Sequence, residues 1–552
     1  RYEVPETVGT GGMIDEPGTR TEAITLPHRF DVTQGELTVR VDPSLAATTL
    51  DGLRYLENYP YQCIEQTVSR FLPNVMTYRA LFSLNVATAD LRSNLEVQVS
   101  FALQRLYAQQ HSDGGWGWFV SDQSNPMTTA YALIGLAEAR NSSFSVSDEV
   151  ILRAVAYLNG QMTVVNESTP DWRLNRQAFL LYALARVDRG NIARSMTLHQ
   201  HYERLSLYAR AYLAVTLNRM AVDMSAETTA LANSLVSRAI LSATGAHWEE
   251  DWNDWWNWNT DTRTTAIVLG ALIELDPGND LLAQAVRWLM VARTADHWET
   301  TQETAWAVMA LTDWMVSTGE LHPNYLMSAT LNGERILQEQ ATTANVRDTV
   351  ELQIAVADLL ADQVNLLALT HGEGDGVMYY TAHLRAYLPV PEVEALDRGI
   401  ILDRRYSLVD DPNRTPIDSA PVGTNVRVTL TIIAPNDLHY VVIEDPIPAG
   451  TDAVDPGLRT SSVVGTMPEV DRTDPLSHGW GWWYFSNTEF RDEKVVIFAT
   501  YLPAGTYEYS YTIRTGLAGE YNVIPVTGQE FYFPEVYGRS DGTVFTITPE
   551  VE

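Results

Sequence analysis

The chain has 552 residues, 45% hydrophobic and 19% charged, which is enough apolar material for several cores and about three or four domains. A net charge of -33 argues against nucleic acid and anionic membranes as partners, and no run of about 18 apolar residues is present to cross a membrane as a helix. A single cysteine excludes a disulfide framework and leaves the redox compartment open.

The sequence starts at Arg1 with neither a signal-peptide nor a lipidation pattern, and is expected to be the processed or excised end of something longer. Its first residues are Pro/Gly-rich. They give way to Glu36-Leu37-Thr38-Val39-Arg40-Val41, whose alternation predicts a strand.

The next segment is Tyr59-Pro60-Tyr61-Gln62-Cys63-Ile64-Glu65-Gln66. A helix is expected here, with Pro60 in its first turn and Pro73 closing it. At roughly 100° per residue Ile64, Val68 and Phe71 share an apolar stripe, while Cys63 and Gln66 share another face about 60° apart. A thiol and a carboxamide one turn apart can condense. If Cys63 Sγ attacks the side-chain carbonyl of Gln66 and ammonia leaves, the product is an internal thioester, a stored acylating agent. The alternative is that Cys63 is a small buried hydrophobe with no chemistry.

From about 44 to 318 the pattern is helical and repetitive. The octets starting at Thr129, Gln177, Arg210, Thr265 and Thr304 are related, and their alanines (Ala130, Ala178, Ala211, Ala266, Ala305) are 48, 33, 55 and 39 residues apart. Such spacing fits helical hairpins. The octets are apolar nearly all round, whereas Val150–Leu158 and Leu281–Val291 are amphipathic. Inner apolar helices alternating with outer amphipathic ones describe an α/α toroid.

Two segments in this region carry other readings. His111-Ser-Asp-Gly-Gly-Trp-Gly-Trp-Phe119 is similar to turns of terpene cyclases, although no aspartate-rich acid motif accompanies it; the alternative is a structural turn. Residues 247–258 interleave acids with tryptophans, which suits either a glycosidase cleft with paired carboxylates or packing beneath a solvated acidic edge. His247 and His297 lie in isolated repeats of one loop and make no case for a metal.

After about 320, short alternating segments dominate: Met327–Leu331, Val350–Val356, Val364–Thr370 and Met378–Tyr387, with turns such as Asn332-Gly333 between them. Strands on both sides of the helical region suggest one β-sandwich interrupted by the toroid. Val426–Ile433, Tyr440–Ile443, Lys494–Phe498 and Tyr507–Ile513 predict a second sandwich from about 391 to 552. Lys494 is the single lysine beside 36 arginines. Codon usage accounts for this; so does a chain that keeps amines away from an amine-reactive ester, because guanidinium is a poor nucleophile.

The stretch YPYQCIEQ resembles the thioester motif of the α2-macroglobulin and complement superfamily, most closely the bacterial α2-macroglobulins, with all fixed positions of Cys-x-Glu-Gln present. Thr500–Gly505 and Glu530–Ser540 are similar to that family's terminal domain. The resemblance implies a multidomain α and β chain. Residues 1–43 would hold a linker and the first part of a CUB β-sandwich, 44–318 an α/α toroid thioester domain inserted in it, 319–390 the second part of the CUB domain, and 391–552 a macroglobulin-like β-sandwich. It implies a single-turnover protease inhibitor of host defence, not an enzyme. Bait cleavage would expose the thioester of Cys63 and Gln66, flanked by Ile64 and Glu65, and a protease lysine would be acylated by Gln66. Tyr59, Tyr61, Phe531 and Tyr532 would shield the bond, although methionine is more usual at the place of Phe531.

Further implications are proteases as partners, bait and upstream macroglobulin domains elsewhere in the full-length protein, a bacterial periplasm or cell-surface location, and no cofactor or metal. Family members that acylate hydroxyls carry a histidine expected near Asp171–Arg176. None is present there, which favours amines as acceptors. The rival readings are a toroid glycosidase or cyclase using residues 247–258, and a thioester adhesion module.

Overall fold

The structure is a computed structural model that describes all residues except 1, 4–8, 28, 32, 85–88, 221–224, 243, 320, 362, 456–468, 471–483 and 550–552. Backbone contacts divide it into two compact units: residues 7–27 with 36–385, and residues 1–6, 28–35 and 386–552.

The larger unit contains twelve α-helices among its described residues: α1 Leu45–Asn58, α2 Ile64–Ser83, α3 Ala89–Gln109, α4 Pro126–Asn141, α5 Asp148–Gln161, α6 Asp171–Arg186, α7 Ile192–His199, α8 Leu207–Met220, α9 Ser225–Val236, α10 Asp261–Leu275, α11 Leu281–Ala292 and α12 Thr301–Thr318. The even-numbered helices close a ring in which α2 touches α4, and so on round to α12, which returns to α2. The odd-numbered helices pack outside it. All five octets fall on the inner ring, and α2, which begins at the cysteine, completes it. In α4 every residue from Met127 to Ala139 is buried, as expected of a helix enclosed on all sides.

A recurrent bond pattern registers the ring. The backbone N–H groups of Trp116, Trp248 and Trp298 donate to the hydroxyls of Thr129, Thr265 and Thr304, at 3.0, 3.0 and 3.1 Å. Their indole N–H groups donate to the carbonyls of Leu106, Leu235 and Leu289. Each tryptophan therefore ties the loop entering an inner helix to the preceding outer helix, and the octet threonine is its anchor. Within the first of these loops Gly114 has φ +91, and a Cβ there would lie 2.4 Å from the Arg153 carbonyl oxygen.

Strands before and after the helices form a two-sheet sandwich. In one sheet Gly35–Asp42 pairs with Val350–Ala355, and Gly9–Ile14 with Met378–Leu388. In the other, Gly18–Ile24, Asn365–Asp375, Asn324–Leu331 and Glu334–Ala341 lie in that order. The helical region is thus an insertion in a sandwich. At their junction the buried Arg293 donates to Asp42 at 2.9 Å and to Asp51 at 3.4 Å. Thr349 donates to both carboxylates, and Arg40 reaches Asp51 at 3.1 Å.

The smaller unit is all β. Its six-stranded sheet centres on Leu438–Pro446 and Lys494–Leu502, and its five-stranded sheet on Asn425–Ala434 and Gly505–Thr515. In the latter pair Val426, Val428, Leu430 and Ile432 face Ile513, Tyr511, Tyr509 and Tyr507, so the alternation seen in sequence becomes the buried face. Fold class follows directly: an α/α toroid inserted in a β-sandwich, followed by a second β-sandwich.

Candidate thioester site

Two features of the motif helix differ from the sequence expectation. The helix starts at Ile64, leaving Pro60 outside it, and it runs through Pro73 to Ser83. An interior proline costs about 3 kcal/mol because a backbone donor is lost. Thirteen buried residues along α2 outweigh that cost, for packing rather than propensity decides such a helix.

Cys63 and Gln66 do not meet as neighbours on a helical face; they meet as a cap. Cys63 is the N-cap residue with extended backbone, φ -72 and ψ 175, and Gln66 is the third residue of the helix. The Gln66 N–H donates to Cys63 Sγ at 3.4 Å, and the Cys63 N–H donates to Gln66 Oε1 at 3.0 Å. This is a capping box in which sulfur replaces the usual hydroxyl. The same two bonds that satisfy orphan donors of the first turn bring the thiol beside the carboxamide. The donor on Oε1 also polarises the carbonyl that an attacking sulfur would approach. Gln66 Nε2 is buried and has no hydrogen-bond partner among the described residues. An unpaired buried amide nitrogen costs about 1–3 kcal/mol, a penalty that loss of this nitrogen would remove.

The surrounding chain holds this turn rigidly. The Ile64 N–H donates to the Trp118 carbonyl at 2.9 Å, and the Thr67 hydroxyl to the Cys63 carbonyl at 2.8 Å. Glu65 is fully buried, and its carboxylate accepts from Ser69, Thr301 and Gln302 at 2.5–3.2 Å. It therefore sits at the first turn of α12, where the helix dipole favours an anion. Through Glu65 the motif is anchored across the ring, while Ile64 is buried in the stripe with Val68 and Phe71. Burial and the Glu65 charge push the Cys63 thiol well above its ordinary range. A thiolate is disfavoured here, so an acyl bond to this sulfur would resist cleavage while the site stays closed.

Tyr61 is buried and Tyr59 half-buried, and their rings meet edge to face at 5.8 Å. Tyr59 continues to Tyr55 at 5.6 Å, and Tyr55 stacks on His297 at 3.8 Å. The sequence reading missed Tyr55 and took His297 only as an isolated loop histidine; the α1–α12 packing brings both to this end of the ring. Asp296 holds the Nδ1 of His297 at 2.7 Å.

In the terminal unit Phe531 and Tyr532 fall between the strands Thr527–Glu530 and Phe533–Arg539. The density of aromatics that no single strand face could absorb is thus a turn. The Phe531 N–H donates to the Tyr440 carbonyl at 2.7 Å, and Tyr440 packs edge to face on Tyr532 at 5.2 Å. Neither Phe531 nor Tyr532 belongs to the sandwich core. The adjacent Glu530 is buried with one oxygen unpaired among the described residues, and burial raises its carboxyl to about 7. A carboxyl raised above its unfolded value contributes most below about pH 4.5, and the contribution is lost as pH rises through 7. Glu530→Gln should therefore stabilise the terminal unit at pH 8 by about 1–3 kcal/mol and flatten its pH dependence between pH 5 and 8. Denaturant midpoints across that range check it; an unchanged slope would place the titration elsewhere.

The remaining motifs are structural. Asp113 accepts from the Gly115 N–H and the Ser124 hydroxyl, which closes the His111–Phe119 turn. In the tryptophan-rich segment Glu250 accepts from the Leu207 and Tyr208 N–H groups and so caps α8. The buried Asp254 accepts from Asn175, Tyr208 and Asn257. Glu250 and Asp254 are thus held in the packing of α6 and α8, while Glu249 and Asp251 are exposed. No group of three or more metal-ligating side chains occurs among the described residues.

Two family models match the chain: the A-macroglobulin TED domain over residues 38–164 and the bacterial α2-macroglobulin MG10 domain over residues 399–535. Similar proteins include an α2-macroglobulin of Thermotoga maritima, 24% identical over 408 residues, covering 73% of this chain and 22% of the relative. Another is the α2-macroglobulin homolog of Yersinia pestis, 22% identical over 560 residues, covering 97% and 26%. The chain spans about a quarter of the length of these relatives. Among solved structures it is similar to native Escherichia coli α2-macroglobulin from domain MG7 to the C-terminus, with a TM-score of 0.72 at 17% identity, covering 98% of this chain and 82% of that one. It is also similar to Salmonella α2-macroglobulin reacted with methylamine, with a TM-score of 0.70 at 19% identity, covering 98% and 33%. The TED match near the start, the MG10 match near the end and a shared fold over 98% of the chain agree: from end to end the chain is similar to the C-terminal part of the bacterial α2-macroglobulins.

Proposed function

We propose that this chain is the thioester-bearing part of a broad-spectrum protease inhibitor, acting outside the cytoplasm in host defence. Its CUB domain would comprise residues 1–43 and 319–390, its thioester domain 44–318 and its terminal domain 391–552. In the charging step Cys63 Sγ bonds to the Gln66 side-chain carbon, and ammonia leaves with the thiol proton. In the capture step a protease lysine ε-amine attacks that carbon after bait cleavage. An amide forms, and Cys63 leaves as a thiolate that takes up the amine's proton. The turnover is single, so the protein acts as an inhibitor and not as an enzyme.

The observation that carries this reading is the reciprocal cap, with the thiol and the polarised carboxamide three residues apart and the amide nitrogen unpaired among the described residues. The Salmonella relative reacted with methylamine supports the same probe here. Native protein should weigh one ammonia less than its sequence, and methylamine should then add at Gln66 with one new thiol appearing at Cys63. A full sequence mass with no methylamine uptake would refute the reading. Because no histidine lies in Asp171–Arg176, uptake of amines should exceed that of glycerol by at least a hundredfold; efficient glycerol coupling would reveal an overlooked base.

The shield proposed for the stored bond comprises Tyr59 and Tyr61, with Phe531 and Tyr532 from the terminal unit. Tyr59→Ala, and the pair Phe531→Ala with Tyr532→Ala, should each speed methylamine uptake in uncleaved protein several-fold. Wild-type rates in both variants would exclude these residues as the shield.

A further inference from the structure

At the end of the ring where α2 begins with Cys63, α4 and α6 also begin. Between them opens a cavity of about 230 Å³. Its wall includes Trp172, Arg173, Arg176, Thr163 and Gln177, its floor is Leu180, and no Asp or Glu lines it. In a chain of net charge -33 a cavity with two arginines and no acid is a local inversion of sign.

The donors are fixed in place. The Gln177 side chain is 3% exposed, and its Oε1 accepts from the Thr163 N–H at 2.7 Å and from the Thr163 hydroxyl at 3.4 Å. That locks the amide orientation and leaves Nε2, without a partner among the described residues, as a donor to the cavity. Arg173 and Arg176 both lie over the Trp172 ring, at 5.0 and 4.9 Å from its centre. Arg176 is braced by the Trp256 carbonyl at 2.7 Å and Asn257 Oδ1 at 3.0 Å. Arg173 is exposed, and its guanidinium makes no hydrogen bond or ion pair among the described residues. The nearby acids are engaged: Asp171 with Arg204, and Asp254 with Asn175, Tyr208 and Asn257.

We infer that this cavity is a binding site for a carboxylate carried on a flat or apolar group. Two guanidinium groups and an amide donor match the two oxygens of a carboxylate, and Leu180 with the edge of Trp172, whose ring also stacks on Trp256 at 5.4 Å, matches the apolar remainder. The volume is below that of a drug-sized pocket and suits one side chain or one small organic acid. Either source supplies the same chemistry: a free aryl acid, or an acidic residue of a protein brought to the thioester end. The second source rests on the proposed capture reaction.

Fluorine NMR with 4-fluorobenzoate tests the site directly. The wild-type chain should bind it at least tenfold more tightly than neutral 4-fluorobenzyl alcohol. Arg173→Gln and Gln177→Leu should each weaken it at least tenfold, while Arg405→Gln, on the terminal unit, should leave it unchanged. Arg173 is exposed, so its variant remains a fair test even where Gln177→Leu fails to fold. No binding, equal binding of acid and alcohol, or unchanged affinity in the Arg173 variant overturns the inference. To separate the sources, thioester consumption by acetyl-Glu-Lys amide is compared with that by acetyl-Gln-Lys amide. A faster Glu peptide that loses its advantage in Arg173→Gln assigns the site to captured protein; equal rates assign it to a free acid. If methylamine is also inert, the thioester reading fails, and the fluorobenzoate result still judges the pocket.

Discussion

Cys63→Ala is expected to abolish methylamine uptake and covalent capture outright while costing about 1–2 kcal/mol of stability. The small cost follows from what the sulfur does in the fold: it accepts one weak cap bond from the Gln66 N–H and fills a small buried volume. Gln66→Glu should fail equally in uptake, because a carboxylate offers no amide to expel as ammonia, although the Cys63 N–H can still donate to it. Intact mass with and without methylamine checks both variants, and denaturant unfolding checks the cost. A loss above about 4 kcal/mol for Cys63→Ala would make the residue a core element first, and the charging chemistry would then need other support.

Arg293→Met should produce the largest stability loss, about 3–5 kcal/mol in the larger unit, because it strands the buried Asp42 carboxylate without its cation and leaves Asp51 only Arg40 and Arg54. Arg293 and Asp42 are fully buried, and Asp51 nearly so. Burial and the Asp42 charge push the Asp51 carboxyl upward even with Arg293 present. Adding Asp42→Asn to the Arg293 variant should recover much of the loss, since Asp51 keeps Arg40 and Arg54 and no buried carboxylate is then left without a cation. Unfolding midpoints of the three proteins decide it. A single variant as stable as wild type would show that water reaches the junction.

The octets made the inner ring legible, since a helix buried on every side must be apolar on every side, and period alone separated it from the amphipathic α5 and α11. Alternation likewise marked the strands at Val350–Ala355 and Asn425–Ala434. The residues Cys63 and Gln66 were legible as a pair, but their geometry was not. Helical-wheel arithmetic places them on one face, and it is blind to an N-cap, whose backbone is extended. Pro73 misled for a related reason, because a proline signal reports local cost and the burial of α2 is a tertiary gain. The cluster of Arg293, Asp42 and Asp51 spans some 250 positions and has no local signature. Nor does the cavity beside Gln177, where a donor becomes available only because Thr163 occupies the other end of the amide.

The reciprocal cap has a consequence for irreversibility. After the proposed acyl transfer Gln66 would again carry an amide and Cys63 a thiol, so the spent site would differ from the uncharged precursor only in what is attached to the nitrogen. Microscopic reversibility then applies. Any arrangement competent to expel ammonia from Gln66 is competent, in the same geometry, to expel a captured lysine amine and set the prisoner free. A lasting covalent catch therefore requires that the cap which loads the bond be dismantled once the bond is used, so that loading and capture occur in two different shapes of one helix start.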